Sequence, residues 1–278
     1  MIYDIHTHYW NPEDTSLTSD TSHLGIPAAA NRKMSSDRHF EETKAVDRAV
    51  VFGLRALKSS MNIPNDTVKK QVDRAPERLI FFTSIDPTEK GYLDELERTH
   101  MDLHAKGIKL GPIYQGAHPL DRRNLEIYAY AQKHNLPIVI HMATTYARGV
   151  PLDYARPFYM DEVAIKFPDL KMVLAHLGHP WIGETIAVIR RNPNLYADIS
   201  ALYYRPWQFY NAMQLLVEYG TWEKVFFGSD FPFTTPQESI DGIRNINHIT
   251  GNSGLPRISD EIIDEILCRN SLGILGIE

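Results

Sequence analysis

The chain has 278 residues, 43% of them hydrophobic and 23% charged, with 29 basic against 35 acidic side chains. The net charge of −6 offers no basic surplus for nucleic acid or an anionic membrane surface, and no apolar run approaches the length of a bilayer span. A lone cysteine, Cys268, excludes an intramolecular disulfide framework, and the N-terminus lacks a charged-then-apolar leader, so a cytoplasmic location is expected.

Short apolar runs recur along the chain, each followed by polar, glycine or proline residues. They fall at 2–6, 48–52, 79–84, 107–111, 137–141, 171–176, 194–200 and 224–230. Most are rich in Val, Ile, Leu or Phe with little strict alternation, the pattern of strands buried on both faces of a parallel sheet. Helical patterns lie between them, at 36–46, 65–74, 93–106, 122–135, 161–167, 181–192, 207–219 and 259–275. Asn65 is a candidate N-cap, and Pro137, Pro168 and Pro193 stand just past helix ends. Strand–helix alternation repeated about eight times in this length favours a (β/α)8 TIM barrel over a doubly wound sheet. No linker or repeat divides the chain, so residues 1–278 read as a single barrel domain.

Two segments depart from the alternation. Residues 9–34 form a long polar excursion after the first strand, and such loops tend to be functional or disordered. Residues 203–210 (YYRPWQFY) concentrate aromatics after the seventh strand and read as a local apolar cluster or subunit contact, with a substrate-facing lid as the alternative. A homodimer therefore stays open.

In such a barrel, reactive groups come from the C-terminal strand ends, where the loops converge. The first strand ends in Asp4-Ile5-His6-Thr7-His8. Residues i and i+2 point to one face about 6.6 Å apart, so two imidazoles there can converge on one cation. His141 ends the fifth strand, His176 the sixth and Asp230 the eighth. Any one of them alone has an ordinary structural explanation. Their joint placement at one end of four strands points instead to a divalent-ion site, zinc first and manganese second. A divalent ion lowers the pKa of bound water towards ~7, Asp230 can accept its proton, and His176 can pass a proton to substrate or leaving group. No organic cofactor is needed, and GxGxxG, P-loop, GxSxG and HExxH motifs are absent.

The ordered motifs also resemble a family. Asp4-Ile5-His6-Thr7-His8, Ile85-Asp86-Pro87, Gly107-Ile108-Lys109-Leu110 and Ile138-Val139-Ile140-His141 are followed by Ala175-His176-Leu177-Gly178-His179-Pro180-Trp181 and Phe227-Gly228-Ser229-Asp230-Phe231-Pro232. Together with Arg269-Asn270-Ser271-Leu272 they resemble the amidohydrolase superfamily, in the branch of aminocarboxymuconate semialdehyde decarboxylase. The resemblance implies that His6, His8 and His141 bind one metal ion, with Asp230 as a further ligand or base and His176 as the proton-transfer group. Some superfamily members carry a bridging carboxylated lysine at the position of Lys109; this branch usually works with one metal, so Lys109 is expected not to ligate. His179 reads as a supporting or loop-packing residue and Asp198 as a structural or supporting carboxylate. Arg148, Arg156 and Arg205 lie in strand-to-helix loops and could hold an acidic substrate, while Cys268 reads as core.

The leading expectation is a metal-dependent hydrolase of a small cyclic or carboxylated substrate, with metal-activated water attacking a C–O or C–N bond. The alternatives are a non-oxidative decarboxylase or hydratase of a small unsaturated or aromatic carboxylate, and a metal-binding barrel without catalysis.

Overall fold

The computed structural model describes residues 1–11, 14, 34–145 and 147–278; the long polar excursion at 9–34 therefore lies mostly outside the described residues. The strands, in chain order, are β1 (Tyr3–His8), β2 (Arg48–Phe52), β3 (Arg55–Ala56), β4 (Met61–Asn62), β5 (Leu79–Phe81) and β6 (Thr83–Ser84). They continue with β7 (Ile108–Leu110), β8 (Ile138–Ile140), β9 (Met172–Leu174), β10 (Leu195–Asp198) and β11 (Val225–Phe226). One parallel sheet runs β1-β2-β5 and another β11-β10-β9-β8-β7-β6, while β3 and β4 form a small antiparallel hairpin outside both.

Backbone bonds join the two parallel sheets into a ring. At Phe82 the third run changes neighbours: Phe82 N–H donates to Val51 O at 3.0 Å, and Thr83 N–H to Gly107 O at 3.0 Å. At the other seam, Ile5 N–H donates to Phe227 O, His8 N–H to Phe231 O and Asp230 N–H to His6 O, at 3.2, 2.9 and 2.8 Å. Gly228 makes this seam close: a Cβ there would lie 2.9 Å from His6 Cβ. The barrel is thus the TIM barrel that the alternation predicts.

The helices are α1 (Ser36–Glu42), α2 (Asn65–Val72), α3 (Tyr92–Met101), α4 (Pro112–Gln115), α5 (Arg122–Lys133) and α6 (Tyr159–Lys166). They continue with α7 (Ile182–Arg191), α8 (Pro206–Tyr219), α9 (Pro236–Arg244), α10 (Asp260–Cys268) and α11 (Ser271–Leu275). Asn65 is not a cap. Pro64 holds that position, and the Asn65 amide instead donates to Ser84 O and accepts from Ser84 N–H, pinning α2 to β6. Helix α9, absent from the sequence reading, starts at a capping box in which Thr235 and Glu238 satisfy each other's backbone N–H. The stretch 259–275 is two helices: the Asn270 side chain accepts from Gly273 N–H and starts α11 afresh. Cys268, expected in the core, is exposed at the end of α10. No helix among the described residues is long and apolar enough to cross a membrane.

The core divides by strand parity. Ala49 and Val51 face the helical layer, whereas Val50 and Phe52 join Tyr3, Ile5, Ile80, Phe82, Val139, Val173 and Phe226 inside the barrel. Leu272, Leu275 and Ile277 pack into this inner cluster. Between Asp4 and Thr7, β1 carries one residue more than β2, because Asp4 pairs with Ala49 and Thr7 with Val51. Strict alternation would put Ile5 and His6 on opposite faces. The bulge resets the phase, so Tyr3 and Ile5 fill the interior while His8, now paired with Phe52, faces the same side.

His39 on α1 is buried between the rings of Tyr9 and Phe231, at 5.4 and 5.6 Å. Burial, reinforced by the charges of Arg78 and Arg74, lowers its pKa to about 3. In the unfolded chain it titrates near its ordinary value of 6.5, so between these values the unfolded state binds the extra proton. Its contribution to stability is complete above pH 6.5 and is lost as the pH falls towards 3, at up to roughly 1.4 kcal/mol per pH unit. Urea unfolding of His39→Asn is expected to show a correspondingly shallower loss of stability from pH 6.5 to 5; an unchanged slope would contradict this account.

Candidate metal centre

The five residues singled out in the sequence reach one end of the barrel by different local routes. His6 and His8 lie in β1 itself, His141 directly follows β8, His176 lies two residues past β9, and Asp230 four past β11. The backbone there is unusual: His176, Leu177, Ala201 and Asp230 all have φ between 48° and 63°, in the left-handed region that side-chain-bearing residues rarely adopt. Such strain persists where surrounding bonds over-determine it, and it concentrates at functional sites. Asp230 is held by its N–H bond to His6 O. His176 is held by its N–H bond to Asp198 Oδ1, at 3.0 Å.

His6, His8 and Asp230 each bring one donor atom within 4.8 Å of the others, as do His6, His176 and Asp198. Both His6 Nε2 and His8 Nε2 stand 3.3 Å from the same oxygen, Asp230 Oδ1. His141 is not in that trio. It stands beside it, with Nδ1 3.1 Å from His176 Nε2, and the His176 ring is 4.8 Å from that of His6.

Proton positions follow from the partners. His6 Nδ1 lies 2.9 Å from Asp198 Oδ2 and donates to it, which leaves Nε2 with a lone pair facing Asp230. His141 Nε2 lies 3.0 Å from Ala143 O, which can only accept, so His141 Nδ1 is bare. Burial is the first cause holding all four histidines below the ordinary imidazole range, His141 at about 3, with the Lys109 charge adding to the effect at each. They are neutral, ligand-competent rings. Burial likewise pushes the Asp230 carboxyl well above its usual range. A carboxylate and several imidazole lone pairs turned on one another in a buried pocket repel; the Lys109 ammonium, 3.1 Å from His6 Nε2, offsets part of that repulsion, and a divalent ion among the donors would offset it more strongly. This donor set fits a divalent ion.

Lys109, on β7, sits inside the cluster rather than out towards a substrate. Its Nζ is 3.1 Å from His6 Nε2 and 4.6 Å above the Phe52 ring, and burial lowers its pKa to about 8. Asp4, quoted in the first motif without a role, clamps the seam: its Oδ1 accepts from His6 N–H and Ser229 N–H, each at 3.0 Å. Ser200 and Tyr114 carry no expectation from the sequence, yet Ser200 Oγ is 2.8 Å from His176 Nδ1 and the Tyr114 ring packs edge-on to His141 at 4.7 Å. Ser200 was findable as the residue two past Asp198 on the same strand end; Tyr114 sits on the short helix α4 and gives no such signal.

The remaining candidates separate by environment. Arg148 is exposed, and Arg156 is exposed and paired with Glu184. Arg205 is half-buried, stacked 4.3 Å over Tyr204, and donates to Ala201 O at 2.8 Å. Its charge lowers the pKa of His179 and opposes the rise at Asp230, so it lies within electrostatic reach of both. The aromatic run closes inward, with Phe209 and Tyr210 buried and Tyr203 Oη donating to Gly228 O, while Trp207 stays exposed.

A TIM barrel with histidines and a carboxylate gathered at the C-terminal strand ends is an arrangement in which barrel enzymes can hold a metal ion. The chain belongs to the amidohydrolase family, whose model matches residues 3–277. A search of curated proteins finds no match. Among solved structures, an uncharacterised TIM-barrel protein from Bordetella bronchiseptica matches with a TM-score of 0.73 and 22% identity, over 99% of this chain and 98% of that one. A probable 2-pyrone-4,6-dicarboxylic acid hydrolase from Acinetobacter baumannii, with citric acid bound, matches at 0.68 and 14%, over 99% of both chains. A dihydroxybenzoic acid decarboxylase from Polaromonas sp. JS666, with bound manganese and the inhibitor 2-nitroresorcinol, matches at 0.67 and 15%, over 99% and 97%. At these identities the likenesses establish the fold.

Proposed function

We propose that the protein is a metal-dependent hydrolase of a small cyclic or carboxylated substrate. The observation that carries this reading is the convergence of His6 Nε2 and His8 Nε2 on Asp230 Oδ1, with the bare Nδ1 of His141 and His176 Nε2 alongside. His6, His8, His141 and Asp230 would hold one divalent ion, zinc by ligand type with manganese as the alternative. Such an ion, when bound, acidifies water and polarises a substrate oxygen. Asp230, in contact with two ligand imidazoles, accepts the proton of the attacking water, and His176 Nε2, a bare lone pair at rest, takes up that proton and passes it to the leaving group.

Arg205 supports a carboxylated substrate. It is fixed by Tyr204 and Ala201, within electrostatic reach of Asp230, and a guanidinium so held suits a substrate carboxylate. Arg205→Met is expected to raise KM for carboxylated substrates about 10- to 100-fold, the worth of one or two charge-assisted hydrogen bonds, with kcat little changed. Equal losses on carboxylated and uncarboxylated analogues in steady-state assays would remove Arg205 from substrate binding.

A second reading uses the same residues. The likeness to a dihydroxybenzoic acid decarboxylase equals that to a pyrone hydrolase, and Arg205 would suit a benzoate equally well. Zinc- or manganese-loaded protein assayed in ¹⁸O-water on a panel of lactone and pyrone carboxylates and hydroxybenzoates separates the readings. Label in the cleaved product is expected. Release of CO₂ without label would replace hydrolysis by decarboxylation, and stoichiometric metal without turnover on either panel would leave a non-catalytic barrel.

A further inference from the structure

The hydrogen-bond pattern behind the histidines has a direction set by counting protons. Asp198, fully buried at the end of β10, accepts four bonds. Oδ2 takes His6 Nδ1–H at 2.9 Å, and Oδ1 takes His176 N–H and Ser200 N–H, each at 3.0 Å, together with the Ser200 hydroxyl. Ser200 has one hydroxyl proton, and Asp198 receives it. Ser200 Oγ can then only accept, from His176 Nδ1 at 2.8 Å and more distantly from His6 Nδ1 at 3.3 Å. Ser200 O lies 3.3 Å from the same nitrogen, and a carbonyl also only accepts. The proton of neutral His176 therefore resides on Nδ1, and Nε2 turns its lone pair on the bare Nδ1 of His141, 3.1 Å away, a facing pair that a cation or an added proton would hold together.

We infer that Ser200 is a positioning residue that extends the Asp198 carboxylate to His176, so that one buried acid fixes the tautomers of two pocket histidines. Asp198 orients His6 directly and His176 through the Ser200 hydroxyl. Both rings turn Nε2 inward, as a metal ligand and a proton-transfer group must. The geometry accounts for the serine at a site where alanine would fill the space: alanine leaves His176 Nδ1–H with only the longer bond to the Ser200 carbonyl. The inference rests on the proposed role of His176 for its catalytic consequence, but not for the tautomer itself.

Long-range ¹H–¹⁵N correlation on histidine-labelled protein, with and without added Zn²⁺, tests it. His176 is assigned by the peaks lost in His176→Gln. In the wild type, His176 is expected to carry a protected, downfield Nδ1–H. Ser200→Ala is expected to move that proton upfield and expose it to exchange, and Ser200→Thr to restore it. Turnover in Ser200→Ala should fall about 10- to 100-fold in kcat, with KM and zinc content unchanged and recovery in Ser200→Thr. A proton on His176 Nε2 in the wild type, or an Nδ1–H signal unmoved by Ser200→Ala, would overturn the inference whatever the enzyme's reaction. An altered Nδ1–H signal in protein that turns over no substrate would uphold it and count against the proposed function instead.

Discussion

Asp230→Asn protein is expected to fold, to keep much of its metal, and to lose turnover by about three orders of magnitude, within the range a positioned acid–base group supplies. The substitution isolates chemistry from structure for reasons visible in the backbone. Asp230 sits at φ 63°, a conformation asparagine tolerates at least as well as aspartate. Its N–H bond to His6 O, which ties the eighth strand's loop to β1, is untouched by the change. The amide oxygen can still occupy the position of Oδ1 between His6 and His8, so a ligand atom remains. What disappears is the capacity to take a proton. Melting temperature should stay within about 2–4 °C of the wild type, the shift that roughly 1 kcal/mol produces in a chain of this size. Metal analysis, thermal melts and kcat together check the prediction, and wild-type-like kcat would remove Asp230 from the mechanism.

The barrel, and the gathering of the histidines and Asp230 at one end of it, were legible in the sequence because both rest on local signals. Doubly buried strands read as short apolar runs, and ligand-type residues at their ends read as a set. The features that needed coordinates are relational. The bulge in β1 exists only in register with β2, so nothing in Tyr3–His8 alone says that Ile5 and His6 share a side of the barrel. Helix α11 separates from α10 because Asn270 finds Gly273 N–H, a competition that periodicity does not see. Cys268 falls beside Leu267 in sequence, yet one helical step turns it from a buried face to an exposed one. Within the site, the pairing of His141 with His176 and the reach of Lys109 to His6 depend on the approach of separate strands. The chemistry of Ser200 is ordinary until Asp198 claims its proton.

Removing both histidines of β1 should remove the metal. In His6→Ala/His8→Ala protein two of four expected donors are gone, and with them roughly half of a zinc affinity on the order of 10–16 kcal/mol. A loss of that size, about 5–8 kcal/mol, weakens binding by roughly four to six orders of magnitude. Elemental analysis after dialysis is expected to find well below stoichiometric zinc, and turnover should vanish with it. The single variants carry the sharper test, because His6 belongs to both donor groups, with His8 and Asp230 and with His176 and Asp198, whereas His8 belongs to one. An ion seated between His6, His8 and Asp230 is weakened by either substitution. An ion seated between His6, His176 and Asp198 would survive His8→Ala and be lost in His6→Ala. Loss in both single variants is the expected result, since Asp198 already spends Oδ2 on His6 Nδ1–H and Oδ1 on three donors, leaving Asp230 the carboxylate free to ligate. Stoichiometric metal in the double variant would place the ion elsewhere in the barrel and with it the proposed chemistry.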